Sequence, residues 1–180
     1  MDRIKERERM ARQDLEMLMK VDQKELDAMA QAILDAKRIY VAGWGRAGLT
    51  IRILSMDCSQ VGLRTHIVGD ASTPAVKEGD LVIIGSGSGE TETMKVIASK
   101  AKRFGAKLGL IVGKRDSTIG KLADYEIFIP KPEPDGSHPD MMGGSFYHVV
   151  VMVCDILRGY VMEALHVTTE DLHRNHNNLE

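Results

Sequence analysis

Two glycine-rich stretches combine residue types suited to holding an anion. One is Gly85-Ser86-Gly87-Ser88-Gly89-Glu90-Thr91, which follows the apolar run 81–84 and leads into a helical pattern over 91–104. Glycine lets the backbone approach an anion closely and take positive φ. Exposed amides at a helix start supply donors and partial positive charge, and Ser86, Ser88 and Thr91 add hydroxyls. With no Lys and no Walker spacing, the loop suits a compact phosphomonoester rather than a nucleoside triphosphate. Capping the helix would need only one of these hydroxyls.

The other stretch, Gly43-Trp44-Gly45-Arg46-Ala47-Gly48, satisfies G-x-G-x-x-G, and Asp70 follows 22 residues after Gly48. That pattern competes as a dinucleotide fingerprint. A dinucleotide enzyme, however, needs two mononucleotide halves and a substrate region, for which 180 residues leave little room. Arg46 suits a monophosphate better than the crowded turn beside a pyrophosphate. The expected substrate-binding residues are therefore Gly45, Arg46, Ser86, Gly87, Ser88 and Thr91.

These loops need rigid elements behind them. Short uncharged runs rich in Val, Ile and Leu occur at 38–42, 65–68, 81–84, 107–112 and 126–129, as expected of strands buried on both faces. Helical patterns at 49–61, 91–104 and 118–123 alternate with them, which predicts α/β architecture: a doubly wound parallel sheet with right-handed crossovers. Residues 1–36 read as a helical arm whose charged opening stretch to Arg12 frays or lies on a partner subunit. Residues 37–130 form the sheet core, 131–142 a Pro-rich loop containing His138, and 143–180 the C-terminal helices. The helix over 145–166 is apolar almost all round, so part of its cover is expected from another subunit. Thr168 or Thr169 caps a last short helix. The whole reads as a single domain.

Composition sets the outer limits. Hydrophobic residues make up 43% and charged residues 28%, which excludes a disordered chain. Aromatics are only 4%, so the core is aliphatic. A formal charge of −2 carries no basic surplus for nucleic acid. No uninterrupted apolar run of membrane-spanning length occurs and the N-terminus is highly charged, so the expectation is neither signal peptide nor membrane partner, and a cytoplasmic location. Cys58 and Cys154 read as small buried hydrophobes. His166, His173 and His176 lack acidic or Cys partners at metal-ligand spacing and read as solvated, so no metal site is expected.

The two loops, the 117–124 stretch before Ile127-Phe128-Ile129-Pro130, Thr73-Pro74-Ala75, the Met142-Gly143 helix entry and the terminal His176-Asn177-Asn178-Leu179-Glu180 resemble the sugar isomerase (SIS) domain family across essentially the whole chain. Within it the chain is similar to the 6-phospho-3-hexuloisomerases. The resemblance implies a flavodoxin-like sandwich on a five-stranded parallel sheet. It also implies conversion of D-arabino-hex-3-ulose 6-phosphate to fructose 6-phosphate through a cis-enediolate, in the ribulose monophosphate pathway, with neither metal nor organic cofactor. Family members are homotetramers with active sites at subunit interfaces. By position, Ser86, Ser88 and Thr91 would hold the phosphate, Arg46 would lie by the sugar or its oxyanion, and His176 would enter from a neighbouring subunit.

Three positions depart from the family pattern. Ala47 stands where the family has Ser, and Asn175 where it has Arg. Tyr147 stands where the family places its proton-carrying carboxylate. A phenol with an ordinary pKa near 10 is a poor base at neutral pH, whereas an imidazole near 6.5 is suitable. His148 is thus the candidate base and Tyr147 the residue in the carboxylate's place, although adjacent helical residues point about 100° apart. Two alternatives stay open: an isomerase of another ketose or aldose phosphate, and a non-catalytic sugar-phosphate-binding protein.

Overall fold

The computed structural model describes residues 3–131 and 144–179. Five strands, β1 (Ile39–Gly43), β2 (Thr65–Ile67), β3 (Leu81–Ser86), β4 (Lys107–Val112) and β5 (Tyr125–Phe128), form one parallel sheet in the order β2-β1-β3-β4-β5. The predicted doubly wound α/β fold is what the chain adopts. Alternate strand residues face opposite layers, as a period of two requires. Val41, Ile83, Ile111 and Ile127 meet α2 (Gln23–Asp35), α3 (Gly45–Gln60) and α5 (Gly144–Ala164) on one face. Ala42, Ile84, Leu110 and Val112 meet α4 (Glu92–Arg103) on the other.

Three expectations change at element level. Residues 3–35 are two helices, α1 (Arg3–Met19) and α2, because Asp22 accepts a hydrogen bond from the Lys24 N–H at 2.7 Å and caps α2. Within the chain, α1 packs on α5 and buries Met17. The 118–123 pattern is only a 3-10 turn at Gly120–Leu122. Lastly, β3 runs two residues further than predicted, so Ser86 is its final residue and its hydroxyl is drawn into the buried layer.

The window Ser145–Ala164 is long and apolar enough to cross a membrane by length and composition. In the fold, Val149, Val150, Val153, Cys154, Leu157 and Val161 are buried in the core. Cover for α5 comes from α1, α2 and α3 of its own chain, and its exposed stripe is His148, Asp155, Gly159 and Glu163. A capping box between Thr168 and Asp171 starts α6 (Thr169–Asn175). The Pro-rich loop and His138 lie outside the described residues.

Candidate active site

In this strand order the chain leaves β1 toward β2 and leaves β3 toward β4, so a crevice opens between the carboxyl ends of β1 and β3, flanked by the starts of α3 and α4. Both glycine loops meet there, with Gly43 in register with Gly85. The first loop is shaped by contact between its glycines. A Cβ on Gly48 would lie 2.5 Å from the Gly43 carbonyl oxygen, and one on Gly43 would lie 2.8 Å from the Gly48 Cα. Only glycines let α3 start this close to β1. Gly45 takes φ +58°, which releases the chain into the helix and leaves Trp44 and Arg46 exposed. A cavity of about 290 Å³ lies against this loop, lined in part by Trp44, Gly45, Leu49 and Arg52.

The second loop is organised by its own hydroxyls and braced from outside. Ser86 is buried; its Oγ accepts from the Gly89 N–H at 3.1 Å and lies 3.4 Å from Thr91 Oγ1. Ser88 is exposed, and its Oγ accepts from the Glu90 N–H at 3.1 Å. Thr91 holds the N-cap position of α4 but its hydroxyl makes no capping bond, so capping does not account for the hydroxyl set. Gly89 has φ +66°, and a Cβ there would fall 2.2 Å from Ser117 Oγ.

The brace comes from the segment after β4. The Gly113 N–H donates to the Gly87 carbonyl at 3.1 Å, the Ile119 N–H to the Gly89 carbonyl at 3.2 Å, and the Thr118 N–H to Glu90 Oε1 at 2.8 Å. Glu90 therefore serves the loop and not the first turn of α4, which begins at Glu92. The backbone and hydroxyl of Thr118 hold its carboxyl below the usual range. Ser117 was visible in sequence only as part of the family-like 117–124 stretch; nothing local marked it as the partner of Gly89.

The structure separates Tyr147, His148 and His176. Tyr147, half-buried in the first turn of α5, places its ring under the Arg46 guanidinium, 4.4 Å from carbon Cζ to the ring centroid. His148 faces α1, where its Nδ1 lies 2.9 Å from Asp14 Oδ2. Phe146 packs against Gly87, and two residues further along a helix the direction has turned about 200°, so the His148 ring sits on the side of α5 away from the loop. His176 ends α6. Asn175 donates from Nδ2 to the Gln60 carbonyl at 3.0 Å, which ties that end to the last residue of α3. Arg46 is at the other end of this 16-residue helix, and such a helix spans about 24 Å. One chain thus joins Gly45, Arg46, Tyr147, Ser86, Gly87, Ser88 and Thr91 around one crevice, while His148 and His176 lie elsewhere on that chain. Among the described residues no three His, Cys, Asp or Glu side chains gather as metal ligands. Burial pushes the Cys58 thiol up to about 12 and Cys154 higher still, so both thiols are packing groups.

Comparison with known proteins agrees with this geometry. The family model of the SIS domain matches residues 32–154. The chain is 36% identical to the 3-hexulose-6-phosphate isomerase of Bacillus subtilis, over 89% of each chain. It is 34% identical to the Mycobacterium gastri 3-hexulose-6-phosphate isomerase, over 89% of this chain and 83% of that one. Among solved structures it superposes on a hypothetical protein of Methanococcus jannaschii, for which a 3-hexulose-6-phosphate isomerase function was inferred. That match has a TM-score of 0.85 and 26% identity, over 98% of this chain and 99% of the other.

Proposed function

Because the chain belongs to the SIS-domain family, we propose that it is a sugar-phosphate isomerase interconverting D-arabino-hex-3-ulose 6-phosphate and fructose 6-phosphate. The observation that carries this reading is the likeness, over nearly the whole chain, to proteins named 3-hexulose-6-phosphate isomerase. The crevice between the two glycine loops is where the chemistry fits. The phosphate sits at residues 86–91, where exposed Ser88, half-buried Thr91 and the start of α4 offer donors. Arg46 faces the developing oxyanion. A base removes the C2 proton, the C3 carbonyl becomes the enediolate, and the proton returns to C3 while C2 becomes the carbonyl.

Among the described residues, neither His148 nor His176 reaches the crevice of its own chain, and the carbon acid needs a base. His148 is engaged with Asp14 on the α1 side. We assign the role to His176 of a second copy. Its Nδ1 lies 3.1 Å from the Asn177 carbonyl. This reading requires an oligomer, taken here as a homotetramer in the cytoplasm. Trp44 (72% exposed), Leu49 (71%) and Met56 (48%) form an apolar surface beside the first loop suited to such assembly.

A coupled assay that presents the 3-hexulose 6-phosphate and follows fructose 6-phosphate should show turnover. A panel of other ketose and aldose phosphates should show much less. Turnover confined to another sugar phosphate would move the substrate assignment and leave the isomerase class. Tyr147 in the carboxylate's place favours one second reading, a non-catalytic sugar-phosphate binder. Thermal stabilisation by fructose 6-phosphate without isomerisation would mark that case.

A further inference from the structure

Tyr147 and Phe146 lie between the two glycine loops as an aromatic pair, their rings 5.3 Å apart and edge to face at 80°. Phe146 is buried against both strand-end glycines. A Cβ on Gly87 would sit 3.7 Å from its ring, and one on Gly113 would sit 3.2 Å from it. Tyr147 then offers its face to the Arg46 guanidinium at 4.4 Å. A continuous set of contacts therefore runs from the phosphate loop through Phe146 and Tyr147 to the cation of the first loop.

We propose that Tyr147 is the positioning residue for Arg46, acting through the face of its ring and not through its hydroxyl. A carboxylate at this position would hold a guanidinium by charge and cancel much of that charge. A ring holds it through its quadrupole and adds no negative charge of its own beside the anionic substrate. Because Phe146 wedges the same pair against Gly87, the guanidinium keeps a fixed placement relative to the phosphate loop. The activity part of this inference rests on the isomerase reading; the binding part does not.

The test compares Tyr147→Phe, Tyr147→Leu, Arg46→Ala and the Arg46→Ala/Tyr147→Leu double variant. Calorimetric titration with fructose 6-phosphate, kcat, KM and the pH–rate profile are measured for each, with circular dichroism to confirm folding. Tyr147→Phe keeps the ring and should stay within about twofold of the parent in affinity and kcat, with an unchanged pH profile. Tyr147→Leu should weaken affinity by roughly 3- to 30-fold, the range of a partly desolvated cation–π contact. The double variant should be no worse than Arg46→Ala alone, since both changes remove one interaction. A loss of 100-fold or more in kcat for Tyr147→Phe, with its alkaline limb altered, would make the phenol a proton carrier and overturn the proposal. So would a Tyr147→Leu protein that binds like the parent, or losses that simply add. If the parent binds fructose 6-phosphate but turns over nothing, the isomerase reading fails while the binding cycle still decides the role of Tyr147.

Discussion

Ser88 and Gly89 are neighbours with opposite duties. Ser88 is exposed and, among the described residues, bonds only the next-but-one N–H of its own turn, so its hydroxyl can turn to a ligand at small structural cost. Ser88→Ala should raise KM for the sugar phosphate by about tenfold or more, the worth of a hydrogen bond to a charged group, while Tm stays within a degree or two. Unchanged KM would remove Ser88 from the phosphate site. Gly89 is structural: positive φ and the Ser117 hydroxyl leave no space for a Cβ. Gly89→Ala should cost about 3 kcal/mol and lower Tm by roughly 6–12 °C; a Tm equal to the parent's would mean that Ser117 is not a fixed wall. The alternation of glycine and hydroxyl was legible in sequence, and so was its suitability for phosphate. Which glycine was obligatory was not, because that depends on Ser117, which reaches the loop only once β4 is beside β3.

At the scale of elements, α3 carries the first loop at one end and the anchor for α6 at the other, and it packs along α5. Buried in that helix pair is Asp57, 2% exposed, with Arg158 Nε 3.9 Å from Oδ1. Among the described residues Asp57 Oδ2 has no hydrogen-bond partner. Burial raises its carboxyl; Arg158 opposes that and Asp155 adds to it. For an acid with a raised folded pKa, folding disfavours the ionised form, so its penalty is present above the folded pKa and relieved as pH falls through it. Asp57→Asn escapes that penalty. The difference in Tm between Asp57→Asn and the parent should therefore become more positive from pH 4 to pH 8, measured by thermal melts across that range. A flat or falling difference would show that Arg158 fully compensates the charge. Helical periodicity placed α3 and α5 correctly in sequence, but not the facing of Asp57 and Arg158, 101 residues apart.

At the scale of the molecule, Arg46 and His176 lie at opposite ends of α3, so the role proposed for His176 needs a site shared between copies. Arg46→Ala and His176→Ala should each be nearly inactive. Co-assembled from equal amounts, they should recover about a quarter of the parent activity, because random mixing completes one site in four. No recovery from a verified mixed oligomer would place both residues in one chain's site. The sequence by itself determined the alternation of strand and helix, the aliphatic core and the two anion-suited loops, since each follows from local periodicity and from the backbone freedom of glycine. Only the tertiary structure decided which side chains meet. Tyr147 and His148 are adjacent in the chain, yet one turns to Arg46 and the other to Asp14, because a 100° step on α5 sends them to different neighbouring helices. Periodicity can say that a helix has faces; the packing of α1, α3 and the sheet around α5 decides what each face touches.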